Sequence, residues 1–148
     1  MNLITINKLK KMLGCNSNFT YEHYTNILQD LKKSYKFTSF KSATTNDIIL
    51  RHDVDASLHA ALKMAKIEKE LDISSTFFIL FSSEFYNPIS VDGSKIIREI
   101  LSLGHKLGLH YNEFFIFENN INALETITTE INLLEQHFNT KIEAIAAH

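Results

Sequence analysis

Two aspartates, Asp53 and Asp55, alternate in the segment Arg51-His52-Asp53-Val54-Asp55. On an extended strand that spacing points both side chains the same way. Two neighbouring carboxylates stay charged together only with a cation close by. Arg51 shares their parity and can serve, and so can a metal ion. Further along, His110 and His148 each stand at the end of an apolar run. Carboxylates and imidazoles gathered at one point form a ligand set for a Zn²⁺-type ion, with a position left open for water. One carboxylate then holds the metal while the other takes a proton from the metal-bound water.

Each of these residues also has a plainer use. Asp55 can cap the helix that follows, and Asp53 can pair with Arg51. His110 can be a core histidine bonded to backbone, although Gly108, two residues earlier on the same face, leaves room for an ion or substrate. His105 and His52 have the opposite parity and are expected to face a helix, solvent or the packing. His23, His59 and His137 read as surface positions on helices. Ser82, Ser83 and Glu84 form a less distinctive polar end. Phe114, Phe115 and Phe117 can line a substrate groove, but packing beneath a loop is the simpler expectation.

The elements that must carry these groups are legible from periodicity. Apolar residues at 3, 6, 9, 12 and 13 suit a short helix over Leu3–Leu13. Thr20 can cap a second helix running to about Tyr35. A short strand is expected at Phe37–Phe40, and a buried strand at Ile48–Leu50 leads into the aspartates. Ser57 opens a helix to about Leu71. Thr76–Phe81 is apolar on both parities, as in a strand covered on both faces. A helix over Gly93–Leu103 ends at Gly104, and Lys106–His110 is the third core strand. A loop holding the three phenylalanines precedes a helix capped by Asn119 or Asn120 and ending at Phe138. Lys141–Ala147 is the fourth strand. The pattern βαβαβαβ implies parallel strands with helical crossovers, whose carboxyl ends gather functional groups at one rim.

Composition sets the outer bounds. With 148 residues and 45% hydrophobic content, the chain can bury one real core, and a single continuous domain is the simplest organisation. The charge balance of 15 Lys+Arg against 17 Asp+Glu argues against a nucleic-acid partner. The lone Cys15 cannot form an internal disulfide. No apolar run approaches the roughly 20 residues of a membrane span. The start, with lysines inside its apolar stretch, is unlike a signal peptide, so a cytoplasmic location is expected.

The segments IILRHDVDASLHAALKMAKIEKELDISSTFFIL, FYNP and GHKLGLHYN, in this order and spacing, resemble the polysaccharide deacetylase family, the NodB-type carbohydrate esterases. The bacterial branch whose first motif reads RHDVD or RHDID is the nearest in pattern, and the likeness covers about residues 20–148. The resemblance implies a distorted (β/α)7-type barrel that binds one divalent metal, commonly zinc, and hydrolyses an acetyl or related acyl group. By position, Asp53 matches the catalytic base, Asp55 the metal-binding aspartate, and His110 the first histidine of the second motif. The family's further histidine, four residues later, is replaced here by Phe114, and His148 is the substitute ligand we would name. Lys106 stands where an acidic residue is usual. The later catalytic motifs, including a general acid, would lie beyond residue 148, so the chain reads as the first part of the barrel.

The function expected on this basis is metal-dependent removal of an N- or O-acetyl group from a sugar or polysaccharide precursor, in surface-carbohydrate biosynthesis. Two readings compete with it. One is a catalytically inactive carbohydrate-binding module that keeps the fold. The other is a nucleotide-sugar glycosyltransferase using Asp53-Val54-Asp55 as a DxD motif, which leaves His110 unexplained and lacks a phosphate-cradling glycine loop. A carbohydrate substrate is the expected partner. An open parallel sheet edge would also favour self-association.

Overall fold

The computed structural model describes residues 20–148, so the helix expected over Leu3–Leu13 lies outside the described residues. The chain divides into two compact units, Met1–Ser34 and Tyr35–His148. In the first, helix α1 spans Tyr21–Lys32, with the Thr20 hydroxyl accepting the His23 N–H as its cap. It stops short of Tyr35 because the Lys33 and Ser34 amides turn to the carbonyls of Asp30 and Leu31, tightening the last turn.

The second unit is α/β, with every strand pair parallel. Strands β1 (Lys36–Thr38) and β2 (Asp47–Ile49) form a small sheet. Here the structure corrects the expected core strand at Ile48–Leu50. Ile48 pairs with Phe37 of β1, and the core strand β3 begins afresh at Arg51 and runs to Val54. The polar alternation of Arg51-His52-Asp53-Val54 suits a strand with different surroundings on its two faces, whereas Ile48 and Ile49 belong to the small sheet and the Leu50 carbonyl accepts the Thr76 N–H at the start of β4.

The remaining elements are α2 (Leu58–Glu70), β4 (Thr76–Leu80), α3 (Val91–Ser102), β5 (Lys106–Tyr111), α4 (Glu113–Glu118), α5 (Ala123–Phe138) and β6 (Ile142–Ala147). The main sheet has the order β3-β4-β5-β6. One face of it, through Val54, Phe77, Ile79, Leu107 and Leu109, joins Leu58, Ala61, Ala65, Ile97, Ile100 and Leu134 of α2, α3 and α5 in a single apolar core. The strand read as doubly covered, β4, is buried at all five positions. Its Phe78 faces the other side, where Phe40 meets it edge-on and the Arg51 guanidinium lies 4.6 Å from its ring centre.

Serine and asparagine caps set the helix starts. Ser57 and Ser90 cap α2 and α3, and Gly104, at φ 99°, turns the chain after α3. The expected phenylalanine loop is instead the short helix α4, capped by Asn112. Its one buried residue is Ile116, while Phe114 and Phe117 are exposed, so these rings do not pack beneath a loop. Asn119 closes α4, and the cap of α5 is Asn122 rather than Asn119 or Asn120. Leu124 shares the helical stripe of Ile127, Ile131, Leu134 and Phe138 but lies in the first turn of α5 and is exposed. No described helix is long and apolar enough to cross a membrane.

Candidate metal centre

Three residues meet where β3, β5 and β6 end. Asp55 follows the last residue of β3, His110 lies near the end of β5, and His148 follows β6. The Asp55 Oδ1 atom is 3.4 Å from His110 Nε2 and 3.7 Å from His148 Nε2. One donor atom from each residue lies within 4.8 Å of the other two. Ligand bonds of about 2.1 Å in a tetrahedron put donor atoms roughly 3.4 Å apart, so the group is able to hold a metal ion with small adjustments. Asp55 is not the cap of α2, a role taken by Ser57.

The histidines are positioned by backbone. His110 is buried, and its Nδ1 faces the Ala146 carbonyl at 3.2 Å. Donation to that carbonyl leaves the Nε2 lone pair toward Asp55, the usual outer contact of a ligating histidine. The histidine is thus backbone-bonded and aimed at the cluster at once. His148 donates its own N–H to the Tyr111 carbonyl, 2.9 Å away. Its side matters as much as its position. Leu107 pairs with Ile142 but Leu109 pairs with Ile145, so β6 carries one extra residue. Such a bulge reverses the facing of everything that follows. It brings His148 to the face of His110.

Tyr86, in the loop after β4, ties the rim together in a way that residue spacing did not reveal. Its hydroxyl donates to the Val54 carbonyl at 2.5 Å and accepts the Leu80 N–H at 3.0 Å, holding the ends of β3 and β4 together beside Asp55. Burial pushes the phenol upward. Ser83 adds a hydrogen bond from its hydroxyl to the Asp55 carbonyl.

Asp53 is engaged differently. Arg51 grips its carboxylate with two bonds, Nε to Oδ1 at 2.6 Å and Nη2 to Oδ2 at 2.9 Å, and this pairing raises the guanidinium. Gly108 does not leave room for an ion. Phe78 stands opposite it in the ladder, and a Cβ on Gly108 would lie 2.7 Å from that ring. The space the missing side chain leaves belongs to the phenylalanine.

A cavity of about 390 Å³ opens beside the three candidate ligands, between Asp55 and His148 on one side and Phe85, Phe114 and Phe115 on another. At the opposite end of the strands, His52 and His105 turn toward α2, as their parity requires. There Glu68 is fully buried, bonded to His52 Nε2 at 2.6 Å and to Ser75. His105 reaches Ser75 and the Ala65 carbonyl, and burial lowers its basicity. Glu68 was legible, because it continues the inner stripe of Leu58, Ala61 and Ala65 by one more helical step. His137 is bonded to Ser94 rather than free at the surface.

No family profile, curated protein or solved structure matches the chain.

Proposed function

We propose that this chain is a metal-dependent deacetylase acting on an acetylated sugar or polysaccharide precursor. The observation that supports the reading is the convergence of Asp55, His110 and His148 at the carboxyl ends of three parallel strands. It gains weight from the motif order that resembles polysaccharide deacetylases. An aspartate with two histidines is a donor set suited to zinc. A divalent ion bound there would supply Lewis-acid polarisation of an acyl carbonyl and a water acidified toward neutral pH.

The chain's own residues have separate tasks in this proposal. His110, its ring bonded to the Ala146 carbonyl, and His148, its backbone N–H bonded to Tyr111, have their Nε2 atoms 3.4 Å and 3.7 Å from Asp55 Oδ1. Asp53 is assigned the general base, with Arg51 fixing its carboxylate in orientation. Phe85 and Phe114 form an apolar wall of the neighbouring cavity, suited to a sugar ring and to keeping bulk water away.

A second reading, carbohydrate binding without turnover, is favoured by two observations. Both Asp53 oxygens are occupied by Arg51, and Phe114 stands where the resembled family has a further histidine. One experiment separates the two. Purified protein loaded with zinc or cobalt is incubated with acetylated amino-sugar oligomers while acetate release and oligomer binding are both measured. Metal-dependent acetate release supports the hydrolase, and binding without release supports the inactive module. Absence of bound metal would overturn both the assignment of the ligands and the hydrolase.

A further inference from the structure

Beside the metal centre lies a second cavity, of about 610 Å³, between the end of β4, α4 and α5. Phe81, Phe115, Ile121 and Leu133 make its wall apolar. Two polar groups break that wall. Glu130 is 7% exposed, and among the described residues its carboxyl has neither a hydrogen bond nor an ion pair. The Ser82 hydroxyl is buried and has no hydrogen-bond partner. Buried polar groups are nearly always satisfied, because each one left unpaired costs the free energy of its lost hydration. Both residues line this cavity, and Ser82 stands on the wall it shares with the cavity beside the candidate ligands.

The other polar side chains on α5 do not serve these two. Thr126 and Thr129 turn their hydroxyls back to the carbonyls of Asn122 and Glu125, each at 2.8 Å. The Asn122 side chain caps the helix. No lysine, arginine or histidine lines the cavity, and the other ionisable group there is a second acid, Glu125. An anion would therefore be repelled. A metal ion is also poorly served, since the one cluster of metal-ligating side chains among the described residues is Asp55, His110 and His148.

We propose that this cavity binds a primary ammonium carried on an apolar body, with the cation on Glu130, a hydrogen bond to Ser82, and the body between Phe81, Phe115 and Leu133. The ammonium donates to both unpaired oxygens, and a charge-assisted bond to a desolvated carboxylate is stronger than a neutral one. The apolar walls favour a compact aliphatic or alicyclic body through burial. This site does not depend on a metal in the neighbouring centre.

The full chain is titrated with n-hexylammonium, n-hexanol and hexanoate while backbone amide resonances are followed by NMR. Saturable shifts at Ser82, Thr129 and Leu133 are expected with hexylammonium, about tenfold weaker binding with hexanol, and none with hexanoate. Glu130→Gln keeps the shape but loses the charge, and it should bring hexylammonium down to the level of hexanol. Thermal melting of the variant checks that it folds, and the comparison of probes on the parent protein needs no variant. Affinity for hexylammonium should also rise between pH 6 and 8 as Glu130 ionises, Glu125 being the other carboxyl on the cavity wall. Equal binding of hexanol and hexylammonium, undiminished binding by Glu130→Gln, or no saturable shift at millimolar probe would each overturn the proposal.

Discussion

The Asp55 carboxylate stands 3.4 Å from His110 Nε2 although β4 separates the strands that carry them. Leu80, the last residue of β4, stands level with His110 in the ladder, and the two side chains meet across the end of that strand. With His148 on the far side of His110, the ring centres of the two histidines lie 5.0 Å apart. Two charged or chargeable donors drawn this close are stabilised by a shared cation.

Removing a ligand should remove the metal. Asp55→Asn and His110→Ala are expected to emerge from purification without zinc, and His148→Ala with affinity reduced about 10-fold or more. Asp53→Asn should keep the metal and lose about 10²-fold in acetate release, as a missing general base would. Elemental analysis and an acetate assay on the same preparations check both halves. Loss of metal in Asp53→Asn would make Asp53 a ligand.

Tyr86 positions the rim without touching the candidate ligands. Tyr86→Phe deletes the bond to the Val54 carbonyl and leaves the Leu80 N–H without its acceptor. Metal affinity should fall about tenfold while the three ligands remain in place. A competition titration with a chelating dye reads this directly, and unchanged affinity would confine Tyr86 to a structural role.

Gly108 makes way for Phe78. Gly108→Ala would force a Cβ to within 2.7 Å of that ring, and overpacking of this kind costs about 1–3 kcal/mol. The expected result in urea is an earlier unfolding midpoint with little change in metal binding. Loss of metal with full stability would return the glycine to the role first read from its spacing.

Glu130 should make the fold pH-sensitive. Burial pushes its carboxyl up to about 7 from an ordinary 4.5. Between those values the folded chain keeps a proton that the unfolded chain releases, so stability falls as pH rises from 4.5 to 7. At about 1.4 kcal/mol for each pKa unit, the loss reaches about 3 kcal/mol above pH 7. Glu130→Gln cannot ionise and should escape it. Denaturant titrations at pH 4 and pH 8 are expected to show the variant equal to the parent at the first and more stable at the second. Parallel pH profiles would show that the parent carboxyl ionises without penalty.

Periodicity and cap residues determined most of the architecture. The alternation of strands and helices was readable because parallel strands covered on both faces are continuously apolar, while helices repeat their apolar positions every three or four residues. Thr20 and Ser57 were readable as caps because a side-chain oxygen at a helix start meets backbone N–H groups that have no other partner. The shared parity of Arg51, Asp53 and Asp55, and the opposite facing of His52 and His105, also followed from strand geometry alone, whereas the contacts of those two histidines with α2 did not. Asn112 and Asn122 were harder to place, because Asn112, Asn119, Asn120 and Asn122 compete for the same few turns.

The site itself needed the tertiary structure. Parity along β6 cannot tell which face His148 joins, because the extra residue between Ile142 and Ile145 exists only in relation to the partner strand. Without that bulge the imidazole would turn away from His110. The use of Gly108 was likewise hidden, since a glycine marks a close approach without naming what approaches, and the register with Phe78 decided it. Glu130 shares the inner stripe of Leu134 and Phe138, but only the fold decides which groups surround its carboxyl. Sequence spacing fixes which side chains share an element's face, whereas the pairing of elements fixes which faces meet.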